Sequence, residues 1–452
     1  MARLFGTDGI RGVANQYPMT PEMVLKIGRA VAAYFGTVNN SAMVIGKDTR
    51  ISGSMLESGL ISGICSMGVD TMLAGIMPTP GVAFLTATLP ASAGLVVSAS
   101  HNPYDDNGVK IFGPDGYKLS DEIEQEIESY ILDDTLAEKA TKIRETGKVK
   151  IVTKAAEQYK IFLKRSLPAG MNFSRVKIAI DCSNGATCKV APHIFSELGA
   201  DVEAYFTKPD GMNINANCGS QHPDVLAEKV NETVVNIGLA FDGDGDRLIA
   251  VDEKGDVLSG DQIIAICAKH MQQKGALKNN VVVSTVMSNM GLGVALGKTG
   301  ISHVTTKVGD RYVMEEMLAH GAVLGGEDSG HTVFLDHQTT GDGMLTALKL
   351  IEVMLSENKP LSELKSVMTV FPQVLINVDV KSKPQLETLP EIMDAIHAVE
   401  EKLKGQGRVT VRYSGTQPQC RVMVEGPTES ETRRYCRQIA GIVKEKIGGC
   451  MS

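Results

Sequence analysis

Apolar positions recur along the chain in two alternating periods. After Thr20 and Pro21, a helix-start pair, Val24, Ile27, Val31 and Phe35 continue at helical spacing. Ala42 to Ile45 then forms a short unbroken apolar run, which predicts a buried strand. Ser52 to Met67 returns to the helical period, and Gly94 to Val97 is apolar again. The acidic stretch Asp121 to Ile131 predicts a surface helix, and the polar run Asp133 to Lys150 a linker. Further strands are predicted at Val176 to Ile180, Ile237 to Phe241 and Val281 to Ser284. Helices are predicted at Asp261 to Met271, Arg311 to His320 and Gly343 to Leu355. This alternation predicts α/β layers with largely parallel sheets.

A second linker is predicted from Asn358-Lys359-Pro360 to Phe371-Pro372, and beyond it the order changes. A strand, a helix (Leu389 to Leu403), strands Arg408 to Tyr413 and Arg421 to Glu425, and a last helix predict a small α+β domain. The expected division is 1–150, 151–255, 256–368 and 369–452, the first three being copies of one architecture.

Composition narrows the function. With 43% hydrophobic and 22% charged residues, the chain is globular rather than disordered. A net charge of −8 argues against a nucleic-acid groove, but not against a local basic pocket for a small anion. Cys65, Cys182, Cys188, Cys218, Cys267, Cys420, Cys436 and Cys450 form no CxxC pair, which predicts free thiols in a reducing cytoplasm. The opening MARLFGTDGIRG has no apolar signal region, and no run approaches the ~18 apolar residues of a membrane span. Secretion and membrane insertion are not expected. There is no Trp, so a sugar would be held by charges and hydrogen bonds.

Four loops carry candidate chemistry. Ser98-Ala99-Ser100-His101-Asn102-Pro103 follows an apolar strand, a good place for an exposed serine nucleophile; His101 and Lys110 are the local candidates to activate it. Read blandly, it is a Ser/Asn turn. Asp242-Gly243-Asp244-Gly245-Asp246-Arg247 sets three carboxylates at alternate positions in a glycine-relaxed loop, a donor set for a hard cation such as Mg²⁺. Counted as an EF-hand it fails, because Arg247 stands where the sharp turn needs Gly and both flanks are strand-like. In Gly325-Gly326-Glu327-Asp328-Ser329-Gly330-His331, Glu327 and Ser329 suit vicinal sugar hydroxyls. Arg412-Tyr413-Ser414-Gly415-Thr416-Gln417-Pro418, with Arg421, forms a compact phosphate cradle. With one such loop per expected domain, the set fits phosphoryl transfer on a phosphorylated sugar.

The motifs carry a resemblance. Leu4 to Gly12 (LFGTDGIRG), Ser98 to Phe112 (SASHNPYDDNGVKIF), Phe241 to Arg247 (FDGDGDR), Lys307 to Val313 (KVGDRYV), Gly325 to His331 (GGEDSGH) and Arg412 to Pro418 (RYSGTQP) resemble, in this order, the α-D-phosphohexomutase superfamily. GTDGIRG together with GDRYV points to its bacterial glucosamine branch. The resemblance implies three similar α/β/α domains plus a smaller C-terminal α+β domain around a central cleft. It implies interconversion of glucosamine 6-phosphate and glucosamine 1-phosphate, with glucosamine 1,6-bisphosphate as intermediate. It also implies a homodimer.

By motif position, Ser100 carries the phosphoryl group, and its phosphate oxygen joins Asp242, Asp244 and Asp246 in ligating Mg²⁺. Lys110 is the preferred general acid/base, with its pKa expected to be lowered by burial among cations; His101 and His331 compete with it. Arg11 and Arg247 compensate charge, Lys307 contacts substrate, and Glu327 and Ser329 bind sugar hydroxyls. Arg412, Ser414, Gly415, Thr416 and Arg421 hold the phosphate not in transfer, and the linker before the last domain would hinge it as a lid. Gln417, Tyr413 and Asp328 depart from the superfamily's usual Glu, Pro and amide. Rival readings are a phosphomannomutase or phosphoglucomutase, or a serine-dependent sugar phosphatase.

Overall fold

The structure is a computed structural model describing residues 4–6, 8–36, 42–133, 135–143, 145–414 and 418–448. It divides into two compact units, residues 1–287 with 300–366, and residues 288–299 with 367–452.

The first unit holds three sheets built to one plan. The first comprises β1 (Ile10–Val13), β2 (Ala42–Lys47), β3 (Asp70–Ile76), β4 (Ala91–Val97), β5 (Asp106–Phe112) and β6 (Val149–Ile151), in the order β1-β5-β4-β2-β3-β6. The second comprises β7 (Lys177–Asp181), β8 (Asp201–Tyr205), β9 (Ile237–Phe241), β10 (Leu248–Asp252) and β11 (Val257–Leu258), in the order β11-β10-β9-β7-β8. The third comprises β12 (Val281–Thr285), β13 (Ser302–Thr306), β14 (Leu324–Gly326) and β15 (Thr332–Phe334), in the order β13-β12-β14-β15. In each, a parallel core ends in a strand (β4, β9 or β14) whose next neighbour in sequence returns antiparallel. The short connection between the two is a chemistry-bearing loop.

The helical reading holds where an apolar stripe meets a cap. The helix Pro21–Phe35 begins at Thr20, whose hydroxyl accepts from Met23 N, and it buries Val24, Ile27 and Val31. The polar run Asp133 to Lys150 is not a plain linker. It contains a helix, Thr135–Thr141, that buries Leu136 and Ala140, and it supplies β6, paired parallel to β3. Two apolar contacts are too few to show a period. Likewise, the second expected linker forms a helix at Leu361–Leu364, and Lys365 Nζ donates to Asp252 Oδ2 at 2.6 Å.

The second unit is an antiparallel sheet of β16 (Gln373–Asp379), β17 (Arg408–Tyr413) and β18 (Gln419–Glu425), ordered β16-β18-β17. The helices Pro390–Leu403 and Glu429–Ile447 bury Ile392, Val399, Ile439 and Val443 in its core. The helix Met290–Lys298 belongs to this unit as well. Among the described residues no helix is long and apolar enough to cross a membrane.

Candidate active site

Val96 of β4 pairs with Lys110 of β5, so the serine loop and Lys110 arise from adjacent strands. Ser100 is 1% exposed and has φ 53°, a left-handed conformation uncommon for a residue with a side chain. It is held there from several sides. The Arg50 guanidinium donates to the carbonyls of Ser100 (3.0 Å), Asn102 (2.8 Å) and Asp106 (3.0 Å), and is itself fixed by Asp48. Asn215 Nδ2 donates to the Ser100 carbonyl at 2.9 Å. The Ser100 amide donates to Ser98 Oγ, which donates in turn to Asp48 Oδ2.

Ser100 Oγ donates to Asp242 Oδ2 at 2.7 Å and lies 3.4 Å from His101 Nδ1. Asp242, Asp244 and Asp246 are buried, and one oxygen of each lies within 4.8 Å of the others. Thr79 Oγ1 and Lys110 Nζ donate to Asp244 Oδ2 at 2.5 and 2.8 Å, and Lys110 reaches Asp246 Oδ2 at 3.0 Å. Asp244 Oδ1 and Asp246 Oδ1 are buried with no hydrogen-bond partner. Unpartnered anionic oxygens beside a third carboxylate fit a hard divalent cation, so the triad could hold a metal. Burial, then the charges of Asp246 and Asp244, push the Asp242 carboxyl well up.

Lys110 is surrounded by carboxylates rather than the cations expected from sequence. Asp8 Oδ2 is 3.0 Å from its ammonium. Burial alone would lower Lys110, but Asp244, Asp246 and Asp8 outweigh it and hold its pKa well above the usual lysine range. His101 is pushed the other way, to about 4, by burial and then by Arg247 and Arg11. Arg11 pairs with Asp8, and Arg247 Nε stands 3.8 Å from Asp246 Oδ1.

The third loop keeps more of its polar atoms unsatisfied. Glu327 Oε1 accepts from Gly309 N at 3.0 Å, while Ser329 Oγ, Asp328 Oδ1 and both His331 ring nitrogens are buried without hydrogen-bond partners. His331 Nε2 lies 3.7 Å from Asp310 Oδ2. Lys307 is exposed, its ammonium 5.8 Å from the Tyr312 ring centroid.

In the second unit Arg412 and Arg421 are direct cross-strand partners. Like charges opposite one another on a sheet repel, which favours an anion between them. Burial, then Arg421, push the Arg412 guanidinium down, and Arg421 Nε is buried without a hydrogen-bond partner. Lys383 Nζ donates to the Ser414 carbonyl at 2.6 Å. Gly415 and Thr416 lie outside the described residues.

Sequence reasoning assigned no role to Asp8, Asp48, Arg50, Lys118, Asn215, Asp310 or Lys383. Asp8 and Asp310 stand inside motifs quoted only for the resemblance, and Asp48 and Arg50 directly follow β2, a charge pattern that could have marked them. Lys118, Asn215 and Lys383 had no such signal.

Four phosphoglucomutase/phosphomannomutase family models match in order: α/β/α domain I on residues 2–138, domain II on 158–255, domain III on 259–371 and the C-terminal domain on 375–442. The chain is 58% identical over 449 residues to a phosphoglucosamine mutase from Syntrophus aciditrophicus, covering 99% of this chain and all of the relative. It is 56% identical to one from Syntrophobacter fumaroxidans with the same coverage. A phosphoglucomutase/phosphomannomutase family protein from Burkholderia thailandensis has a similar structure, with a TM-score of 0.81 at 24% identity over 99% of both chains. An N-acetylphosphoglucosamine mutase from Aspergillus fumigatus, solved with GlcNAc-6P and magnesium, gives a TM-score of 0.70 at 16% identity over 99% and 96% of the two chains. The conserved order of domains and the full-length identity lead to one assignment: the chain belongs to the phosphoglucomutase/phosphomannomutase family, a family of isomerases, in its phosphoglucosamine mutase branch.

Proposed function

We propose that the chain interconverts glucosamine 6-phosphate and glucosamine 1-phosphate through a phosphoserine at Ser100 and a glucosamine 1,6-bisphosphate intermediate. The observation carrying this is the 2.7 Å bond from Ser100 Oγ to Asp242, which puts a hydroxyl at the rim of the buried carboxylate triad. The choice of glucosamine rests on the relatives' names. Asp242, Asp244 and Asp246, with a phosphate oxygen on Ser100, would hold Mg²⁺, which when bound offsets charge on the phosphoryl group.

In the first half-reaction the bond from phosphorus to Ser100 Oγ breaks while one forms to the free sugar hydroxyl, which gives up its proton. The bisphosphate turns end for end, and its other phosphate returns to Ser100. Lys110, His101 and His331 are the candidates for proton transfer. Lys110, held above the usual lysine range, is charged but a reluctant donor, and His101, pushed down to about 4, is neutral but a weak acceptor. Arg11 and Arg247 balance the carboxylates, Lys307, Glu327 and Ser329 take the sugar, and Arg412, Ser414, Gly415, Thr416 and Arg421 take the resting phosphate. These roles divide the chain as 1–150 for the serine, 151–255 for the metal, 256–368 for the sugar and 369–452 for the phosphate. The seven described cysteines are unpaired, in keeping with a reducing cytoplasm.

Intact mass before and after incubation with glucosamine 1,6-bisphosphate tests the reading. A gain of one phosphoryl group mapping to Ser100, and loss of isomerisation in Ser100→Ala, are expected. Near-normal mutase activity in Ser100→Ala would refute it. Free phosphate without isomerised sugar would favour the phosphatase.

A further inference from the structure

The segment Lys307 to Val313 enters the proposed reaction only through Lys307, yet its centre, Gly309-Asp310-Arg311, has three consecutive attachments. Gly309 N donates to Glu327 Oε1 at 3.0 Å. Asp310 Oδ2 accepts from Lys118 Nζ. Arg311 donates to Asp121 Oδ1 and Glu124 Oε1 on the helix Asp121–Leu132.

Lys118 stands at the middle of a longer chain. Its ammonium also donates to Asp8 Oδ1, and the other Asp8 oxygen lies 3.0 Å from Lys110 Nζ. Beyond Lys110 come Asp244 and Asp246; beyond Asp310 comes His331, 3.7 Å from the oxygen that Lys118 holds. Charges thus alternate in sign from the carboxylate triad to the loop carrying Glu327 and His331, with Lys118 as the single described link between Asp8 and Asp310.

We propose that Lys118 is a positioning residue. By bridging Asp8 and Asp310 it sets the distance between the Ser100–Lys110 centre and the sugar loop, so that the accepting hydroxyl meets the phosphoryl group in line. The proposal rests on the mutase reading above.

The competing account is a buried ion bridge that serves stability alone. Buried ion pairs are a poor source of net stability, and Arg311 already ties the same segment to the helix Asp121–Leu132. The bridge is also not sealed in a core. A cavity of about 430 Å³ opens on Lys118, Asp310, Arg311 and His331. An adjustable link at this point acts on geometry, and an error of ~1 Å at a reacting centre costs about a hundredfold in rate.

The experiment uses the full-length protein with Mg²⁺ and glucosamine 1,6-bisphosphate, and compares Lys118→Met, Lys118→Arg and the double variant Lys118→Met/Asp310→Asn. Lys118→Met should lower kcat about 30- to 100-fold with KM within about threefold of wild type. Lys118→Arg should recover most of the loss. The double variant removes the part-buried carboxylate that has lost its lysine partner, so it should fold even if the single variant does not, and should match Lys118→Met rather than lose further. A folded Lys118→Met with kcat within twofold of wild type overturns the proposal, as does Lys118→Arg performing no better than Lys118→Met. Wild type inactive on glucosamine 6-phosphate would instead count against the mutase reading.

Discussion

The loops Asp242–Arg247 and Glu327–His331 occupy the same place in two copies of one architecture, and what each leaves unsatisfied differs in kind. Both connect a parallel strand to its antiparallel neighbour. The first is locked on every side: Gly243 O accepts from Ala186 N, Asp244 O from Thr79 N and Gly245 O from Gly343 N. What remains open is mainly anionic, one oxygen each of Asp244 and Asp246, with Arg247 Nε as the one open donor at the loop's end. The second leaves a hydroxyl, a carboxylate oxygen and an imidazole open, donors and acceptors together. A surplus of negative oxygen suits a cation, whereas a mixture suits a polyhydroxylated ligand that arrives in two orientations. On the proposed reading, one fold position therefore serves two chemistries through its choice of side chains.

The largest effect on this contrast is expected at Gly243. A Cβ there would sit 2.6 Å from the Ser100 carbonyl and 2.8 Å from Asn215 Nδ2, closer than real Cβ contacts allow. Gly243→Ala should therefore push the serine loop off the carboxylate triad and lower kcat by about a hundredfold, with far-ultraviolet circular dichroism unchanged. Turnover within threefold of wild type would mean that the two loops need not meet so closely.

Asp342 links the two loops and gives a smaller effect, read by pH. Its amide donates to Thr332 O, and the amide of Gly343 beside it donates to Gly245 O of the loop Asp242–Arg247. Burial raises its carboxyl to about 6, against hydrogen bonds from Leu345 N and Tyr159 Oη. Because the folded pKa lies above the unfolded one, the native state binds the proton more tightly. That contribution is fully present below about pH 4 and is lost as pH rises through about 6. Relative to Asp342→Asn, the wild type should lose up to about 3 kcal/mol between pH 4 and pH 7. Melting temperatures of both proteins across that range would show it; a constant difference would place the Asp342 pKa near its unfolded value.

Legibility in sequence tracked how locally each feature is encoded. The triad was plain because alternate carboxylates between glycines need no tertiary knowledge. β9 was read with its observed limits because its apolar run ends at that loop, and β17 because its alternating Arg-Val-Thr-Val-Arg-Tyr ends at the phosphate loop. The surroundings of Lys110 were not legible. Asp8, Asp244 and Asp246 reach it across long sequence separations, so a lysine expected among cations lies among anions. Asn215 had no signal because its side chain does its work on the carbonyl of Ser100, 115 residues away.

The gentlest substitution probes the other loop. Ser329→Ala removes one buried, unpartnered hydroxyl and leaves no protein group newly unpaired, so the melting temperature should stay put. If that hydroxyl is kept open for a sugar hydroxyl, kcat/KM should fall about three- to tenfold, the worth of one neutral hydrogen bond. The loss should be similar for glucosamine 6-phosphate and glucosamine 1-phosphate, because one loop meets the sugar in both orientations. A change in melting temperature with kcat/KM intact would make Ser329 part of the frame, and the difference in kind between the two loops would then narrow to His331 and Asp328.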